Sequence, residues 1–196
     1  MIIIQIAGFL GSGKTTLMIR IGKAMSEKGK KVVIIVNEVG EVGVDGDVLA
    51  QQGLRTLEIS EGCICCSLSG TLQNTLRKVK QEYSPDIILL EPTGLALPNR
   101  INSLIRTSMV EPEMTRTVAL VDAFRVDDLL ANTRQFFIRQ VEHADVLALN
   151  KVDVIGEDRL LDIERTLEEV LPDAKAVRIS AKTGEGVEAL VRLLNI

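Results

Sequence analysis

The sequence predicts an α/β fold, a mostly parallel central sheet flanked by helices on both faces, and two features predict it. Continuous apolar runs recur as Ile2 to Ile6, Val32 to Val36, Ile87 to Leu90, Val118 to Val121 and Val146 to Leu149, the mark of strands buried on both faces. Segments of helical spacing lie between them, at Thr15 to Lys28, Leu68 to Glu82, Gln135 to His143, Arg159 to Val170 and Val187 to Leu194. Strand and helix therefore alternate, and alternation implies parallel pairing through crossover helices.

Taken in order, Met1 to Ala7 is apolar but short, lacks a basic leader and runs into Gly8 to Thr16 rather than a small-residue cleavage site, so it reads as a buried strand. The second strand, Val32 to Val36, is followed by Glu38 to Gln52, rich in glycine and acid, which reads as a loop. A further strand is read at Arg55 to Ile59, then a loop of small residues and cysteines from Gly62 to Gly70. The strands Ile87 to Leu90, Val118 to Val121 and Val146 to Leu149 each end against a polar residue, respectively Glu91, Asp122 and Asn150, and a last strand is read at Ala174 to Ile179. In open parallel sheets ligands bind beyond the carboxyl ends of the strands, so Glu38, Glu91, Asp122 and Asn150 are expected to share one functional edge. No repeat, linker or low-complexity tract interrupts the pattern, and 1–196 is expected to form a single domain.

Composition excludes several partners. The 196 residues carry a net charge of −4 and only 3% aromatic side chains, which supply neither a basic phosphate-tracking face nor base-stacking platforms, so nucleic acid is not expected as a partner. No apolar stretch approaches the roughly 20 residues needed to cross a bilayer, and no membrane association is expected. The three cysteines, Cys63, Cys65 and Cys66, are too crowded for a disulfide framework and read as reduced thiols of a cytoplasmic protein.

The chemistry begins at Gly8-Phe9-Leu10-Gly11-Ser12-Gly13-Lys14-Thr15, a G-x-x-x-x-G-K-S/T pattern between a predicted strand and a predicted helix. Glycines let the backbone curl so that successive N–H groups, from Gly11, Ser12, Gly13 and on to Thr16, face phosphate. Lys14 supplies an ammonium to the outer phosphates and Thr15 a hydroxyl to magnesium. The fold class is accordingly a P-loop nucleoside triphosphatase.

Asn150-Lys151-Val152-Asp153 follows the strand Val146 to Leu149 and sets an amide and a carboxylate on the phosphate edge. A carboxylate accepts from both the ring N–H and the exocyclic amine of guanine, a donor pair that adenine does not offer, so GTP and GDP are the expected nucleotides. Ser180-Ala181-Lys182-Thr183, after the last strand, resembles the GTPase loop that packs on the base. Two acids compete for magnesium. Glu91 is favoured because Pro92-Thr93-Gly94 follows it, and the N–H of Gly94 could meet a terminal phosphate and move when that phosphate leaves. Asp122 is the alternative, or else a cap for a helix from Ala123.

Cys63-Ile64-Cys65-Cys66 would present thiolates to a soft metal, three sulfurs leaving one position of a zinc site for another ligand; otherwise the cysteines are small buried apolar residues. The acidic segment Asn37 to Asp45 supplies Glu38, Glu41 and Asp45 and could form a switch, one of these carboxylates ordering the attacking water, with Glu38 the candidate, or extending the thiolate site; otherwise it is a solvated acidic loop. His143, the single histidine, is given no role.

Together, Gly8 to Thr16, Asn37 to Asp45, Gly62 to Cys66, Glu91 to Gly94 and Asn150 to Asp153 resemble the metallocentre-assembly GTPases, the family of CobW-like cobalamin proteins and the hydrogenase and urease nickel-insertion GTPases, with the CobW-like branch fitting best. The resemblance implies that Glu91 replaces the usual aspartate of the third GTPase motif and that Cys63, Cys65 and Cys66 form a C-x-C-C metal motif. It also implies slow GTP hydrolysis, nucleotide-dependent pairing of two protomers, and delivery of zinc, cobalt or nickel to a client metalloprotein or corrinoid enzyme. CobW-like proteins usually carry a C-terminal domain, which is not expected in 1–196, and an aromatic residue where Val39 stands. The expected catalytic set is Lys14, Glu38 and Glu91. The alternative function is a regulatory GTPase switch that gates a partner without metal transfer; a small-molecule kinase is disfavoured by Asn150 to Asp153.

Overall fold

A computed structural model describes residues 1–36, 54–58, 68–92, 94 and 96–196. Glu38, Glu41, Asp45, Cys63, Cys65, Cys66 and Thr93 lie outside the described residues. Among the described residues seven strands form one sheet: β1 (Ile2–Ala7), β2 (Val32–Val36), β3 (Leu54–Glu58), β4 (Ile87–Glu91), β5 (Met114–Asp122), β6 (Val146–Asn150) and β7 (Ala176–Arg178), in the order β3-β2-β4-β1-β5-β6-β7. Every pairing is parallel. The described helices are α1 (Lys14–Glu27), α2 (Leu68–Tyr83), α3 (Pro98–Arg106), α4 (Val126–Val141), α5 (Glu157–Val170) and α6 (Val187–Leu194). None of them is long and apolar enough to cross a membrane.

Both faces of the strands are apolar because both are covered. Ile4, Ile6, Ile34, Leu89, Val118, Leu120, Val146 and Ala148 face α1 and α6, meeting Leu17, Met18, Ile21 and Leu190. The alternate residues face the other layer. Ile3, Val33, Ile35, Ile88 and Leu90 pack on α2 and α3, while Ala119, Val121, Leu147 and Leu149 pack on α4 and α5. This two-sided burial is why the runs read as continuous rather than alternating.

The structure departs from the sequence expectation in four places. Helix α3 was not anticipated, since its apolar residues Ile101, Leu104 and Ile105 make only one helical turn of signal in nine residues; Pro98, with φ already helical, opens it. Strand β5 begins at Met114 rather than Val118, because backbone pairing with Ile2 to Gln5 carries the polar Thr115, Arg116 and Thr117 into the ladder. Helix α4 starts at Val126, after a 3-10 turn over Ala123–Arg125, and continues to Val141 through a non-helical Thr133. The last strand is only Ala176–Arg178, at the sheet's edge.

Register places the functional candidates. Val36 pairs with Glu91 and Asp122 with Asn150, so Glu91, Asp122 and Asn150 are the last residues of their strands, and the phosphate loop leaves β1 among them.

Candidate functional site

The loop from Gly8 to Gly13 turns the end of β1 into the start of α1 in a space that side chains would obstruct. A Cβ on Gly8 would lie 2.4 Å from the carbonyl oxygen of Leu120, and one on Gly13 would lie 2.5 Å from Nδ2 of Asn150, where φ is also +97°. Both glycines are therefore set by close approach of neighbouring chain. Gly11 is exposed at the loop's tip, Ser12 is buried, and Thr16 is exposed in the first turn of α1.

Lys14 and Thr15 open α1 and turn toward the end of β4. The Lys14 ammonium, 6% exposed, donates to the Phe9 carbonyl at 3.3 Å and lies 3.7 Å from Oε1 of Glu91. Thr15 Oγ1 donates to Oε2 of Glu91 at 2.8 Å. Strand order creates this cluster, since β4 sits directly beside β1. A hydroxyl and a carboxylate form an oxygen-only donor pair, which fits magnesium, a hard cation that takes one or two protein oxygens and completes its shell with water and phosphate.

Asp122 has other commitments. Its Oδ1 accepts from the N–H of Phe124 at 3.0 Å, capping the 3-10 turn, and its Oδ2 accepts from Lys151 at 2.7 Å, with the carboxylate only 4% exposed. Of the two competing acids, Glu91 is the one joined to Thr15.

Asn150 also turns inward. Its Nδ2 donates to the Ser12 carbonyl at 2.7 Å and its Oδ1 accepts from the N–H of Ala181 at 2.8 Å. One buried amide thus ties the phosphate loop to the segment after β7. Lys151 follows in the left-handed region, and Asp153 is exposed in the 3-10 turn Val152–Val154. Ser180 and Ala181 are buried and Lys182 is exposed. The Ser180 hydroxyl accepts from the N–H of Thr183, closing a tight turn.

Three side chains that support the site escaped the motif reading. Arg20, one turn beyond the phosphate motif on α1, donates to the carbonyls of Ala181 and Lys182 at 2.9 and 2.6 Å. Phe9 packs edge-on against Phe136 at 5.5 Å and stacks with Phe137 at 6.3 Å, anchoring the loop to α4. Gln140, also on α4, donates to the carbonyls of Gly94 and Ala96, both at 3.2 Å. Arg20 and Gln140 belong to no short motif and Phe9 fills a variable position of the phosphate motif, so only their partners across the fold reveal them. Among the described residues no group of three or more His, Cys, Asp or Glu side chains converges as a metal site.

Comparison with known proteins extends this geometry. The family described as CobW/HypB/UreG, nucleotide-binding domain, matches residues 2–178. The zinc chaperone YeiR of Escherichia coli is 37% identical over 150 residues, covering 76% of this chain and 45% of that protein. Hydrogenase maturation factor HypB from Archaeoglobus fulgidus superposes with a TM-score of 0.75 at 22% identity, covering 99% of this chain and 88% of that one. The Zn(II)-bound YjiA GTPase from E. coli superposes with a TM-score of 0.63 at 28% identity, covering 92% of this chain and 56% of that one. The chain spans about half the length of the curated relatives it matches.

Proposed function

Since the chain belongs to the CobW/HypB/UreG nucleotide-binding family, we propose that it binds and slowly hydrolyses GTP and couples that cycle to the handling of a transition metal at Cys63, Cys65 and Cys66. The observation that carries the nucleotide half is the Thr15–Glu91 hydrogen bond beside Lys14, at the mouth of a glycine loop whose N–H groups can receive phosphate. Thr15 and Glu91 would hold magnesium, which offsets phosphate charge when bound. Lys14 opposes charge on the outer phosphates, Gly11, Ser12, Gly13 and Thr16 line the phosphate cradle, and Gly94 offers an N–H to the terminal phosphate. Asp153 reads the guanine edge, with Lys151 and Ser180 to Lys182 against the base. Such a site works by positioning and electrostatics, so unassisted turnover is slow. Glu38 is the candidate for orienting the attacking water.

Support for the metal half comes from the C-x-C-C segment together with relatives named as a zinc chaperone and as a Zn(II)-bound GTPase, which puts zinc first and cobalt or nickel next. The proposed partners are a client metalloprotein or corrinoid enzyme and a second copy of the chain, paired in a nucleotide-dependent way.

The test is anaerobic titration of the reduced chain with zinc, cobalt and nickel in the apo, GDP-bound and GTP-analogue-bound states, following cobalt–thiolate absorption. Binding that changes with nucleotide and disappears in the Cys63, Cys65 and Cys66 triple serine variant is expected. Thiolate binding absent in every state would refute metal handling and leave a regulatory GTPase; absence of guanine-nucleotide binding would refute both.

A further inference from the structure

Gln140 stands near the carboxyl end of α4, away from every sequence motif of the site, yet it is only 2% exposed and spends both amide hydrogens on one stretch of backbone, the carbonyls of Gly94 and Ala96. Its Oε1 is buried without a partner among the described residues. A buried unpaired amide oxygen is costly, and a leucine or methionine would fill comparable space without it. The gain at this position is the grip on the segment that leaves β4.

That segment lies against the phosphate loop. A Cβ placed on Gly94 would sit 3.1 Å from the backbone nitrogen of Leu10. The same helix reaches the loop directly, through Phe136 and Phe137 on Phe9, and the turn preceding it does so through Arg125, which donates to the Leu10 carbonyl at 3.1 Å. The part of α4 beyond Thr133 therefore touches both the phosphate loop, through Phe136 and Phe137, and the backbone carrying Gly94, through Gln140.

We propose that Gln140 is a positioning residue for the nucleotide reaction: by holding the carbonyls of Gly94 and Ala96, it keeps the Gly94 N–H where a terminal phosphate can reach it, and so sets the preference for triphosphate over diphosphate. The proposal rests on the GTPase reading above. A diphosphate has no group at that place, so Gln140 affects GTP and leaves GDP alone.

The test is Gln140→Met, with Gln140→Leu as a second variant, measuring the affinities of fluorescent GDP and of a non-hydrolysable GTP analogue with magnesium, together with kcat and thermal stability. Loss of one ordered hydrogen bond to a charged phosphate corresponds to about a tenfold weakening. The expected result is GTP-analogue affinity down about tenfold, kcat reduced, GDP affinity unchanged, and thermal stability close to that of the parent, because the carbonyls of the partly exposed Gly94 and Ala96 turn to water while the unpaired Oε1 is gone. An unchanged ratio of the two affinities in both variants would overturn the assignment, as would parallel loss of both nucleotides with a fall in stability, which marks a purely structural side chain. A parent chain that binds neither nucleotide would instead overturn the reading of the site itself.

Discussion

Replacing Asn150 by alanine removes the amide that joins Ala181, 31 residues further along the chain, to Ser12, 138 residues before it. All three residues are buried, at 2% exposure or less. The variant leaves the Ser12 carbonyl and the Ala181 N–H without their partners in a place water reaches poorly. Each such orphaned group costs about 1–3 kcal/mol, so the sum is about 3 kcal/mol with both near the lower half of that range. For a chain of this size that corresponds to a fall in midpoint of about 6–12 °C. The assay is thermal or urea unfolding of the nucleotide-free protein, with GDP affinity measured alongside. Affinity should fall too, because the phosphate loop and the Ser180 to Lys182 segment lose their mutual placement. Asn150→Asp keeps the acceptor for Ala181 but sets a carboxylate oxygen against the Ser12 carbonyl, and should be no better than alanine. A loss below about 0.5 kcal/mol in Asn150→Ala, the range of ordinary surface changes, would refute the tether.

Arg20 and Asn150 hold opposite ends of the same Ala181 peptide region, so Arg20→Ala and Asn150→Ala should be non-additive by more than about 0.5 kcal/mol in a double-mutant cycle; strict additivity would show that the two grips act independently. Gly13→Ala combines a +97° φ with a 2.5 Å approach to Asn150, and should abolish measurable nucleotide binding while lowering the unfolding midpoint. Asp153→Asn should weaken GTP and favour a xanthine nucleotide, whose 2-carbonyl accepts from an amide; equal weakening of both in competition binding would remove Asp153 from the base site. Glu164 receives a two-pronged contact from Arg178 at 2.6 Å for each bond. Those hydrogen bonds hold its carboxyl below the ordinary range, against the opposing effect of burial. A depressed native pKa adds stability above the ordinary carboxylate pKa and loses it as pH falls through the native one, so Glu164→Gln should cost about 1 kcal/mol at pH 7 and progressively less below about pH 4. A pH-independent difference in chemical unfolding would contradict this.

The sequence by itself determined the layered sheet and the phosphate loop, and both for local reasons. Runs such as Val32 to Val36 and Val146 to Leu149 are apolar at every position because each face has its own layer, a pattern visible within five residues. The glycine loop is equally local, since its N–H groups come from consecutive residues. The short span of α3, its apolar residues confined to one turn, hid it, and backbone pairing alone drew Thr115 to Thr117 into β5.

What only the tertiary structure decided is which side chain meets which. Glu91 reaches Thr15 because β4 lies next to β1, an arrangement that hydrophobic periodicity does not specify, and Asp122 is withdrawn by Lys151 and the Phe124 N–H. Asn150, legible as a member of a base-recognition motif, spends its amide on the Ser12 carbonyl and the Ala181 N–H. Arg20 and Gln140 carry no motif at all; their roles exist only as hydrogen bonds to backbone carbonyls 161 and 46 residues away. Such bonds depend on strand order and helix placement, quantities set by the packing of the whole chain rather than by any stretch of it.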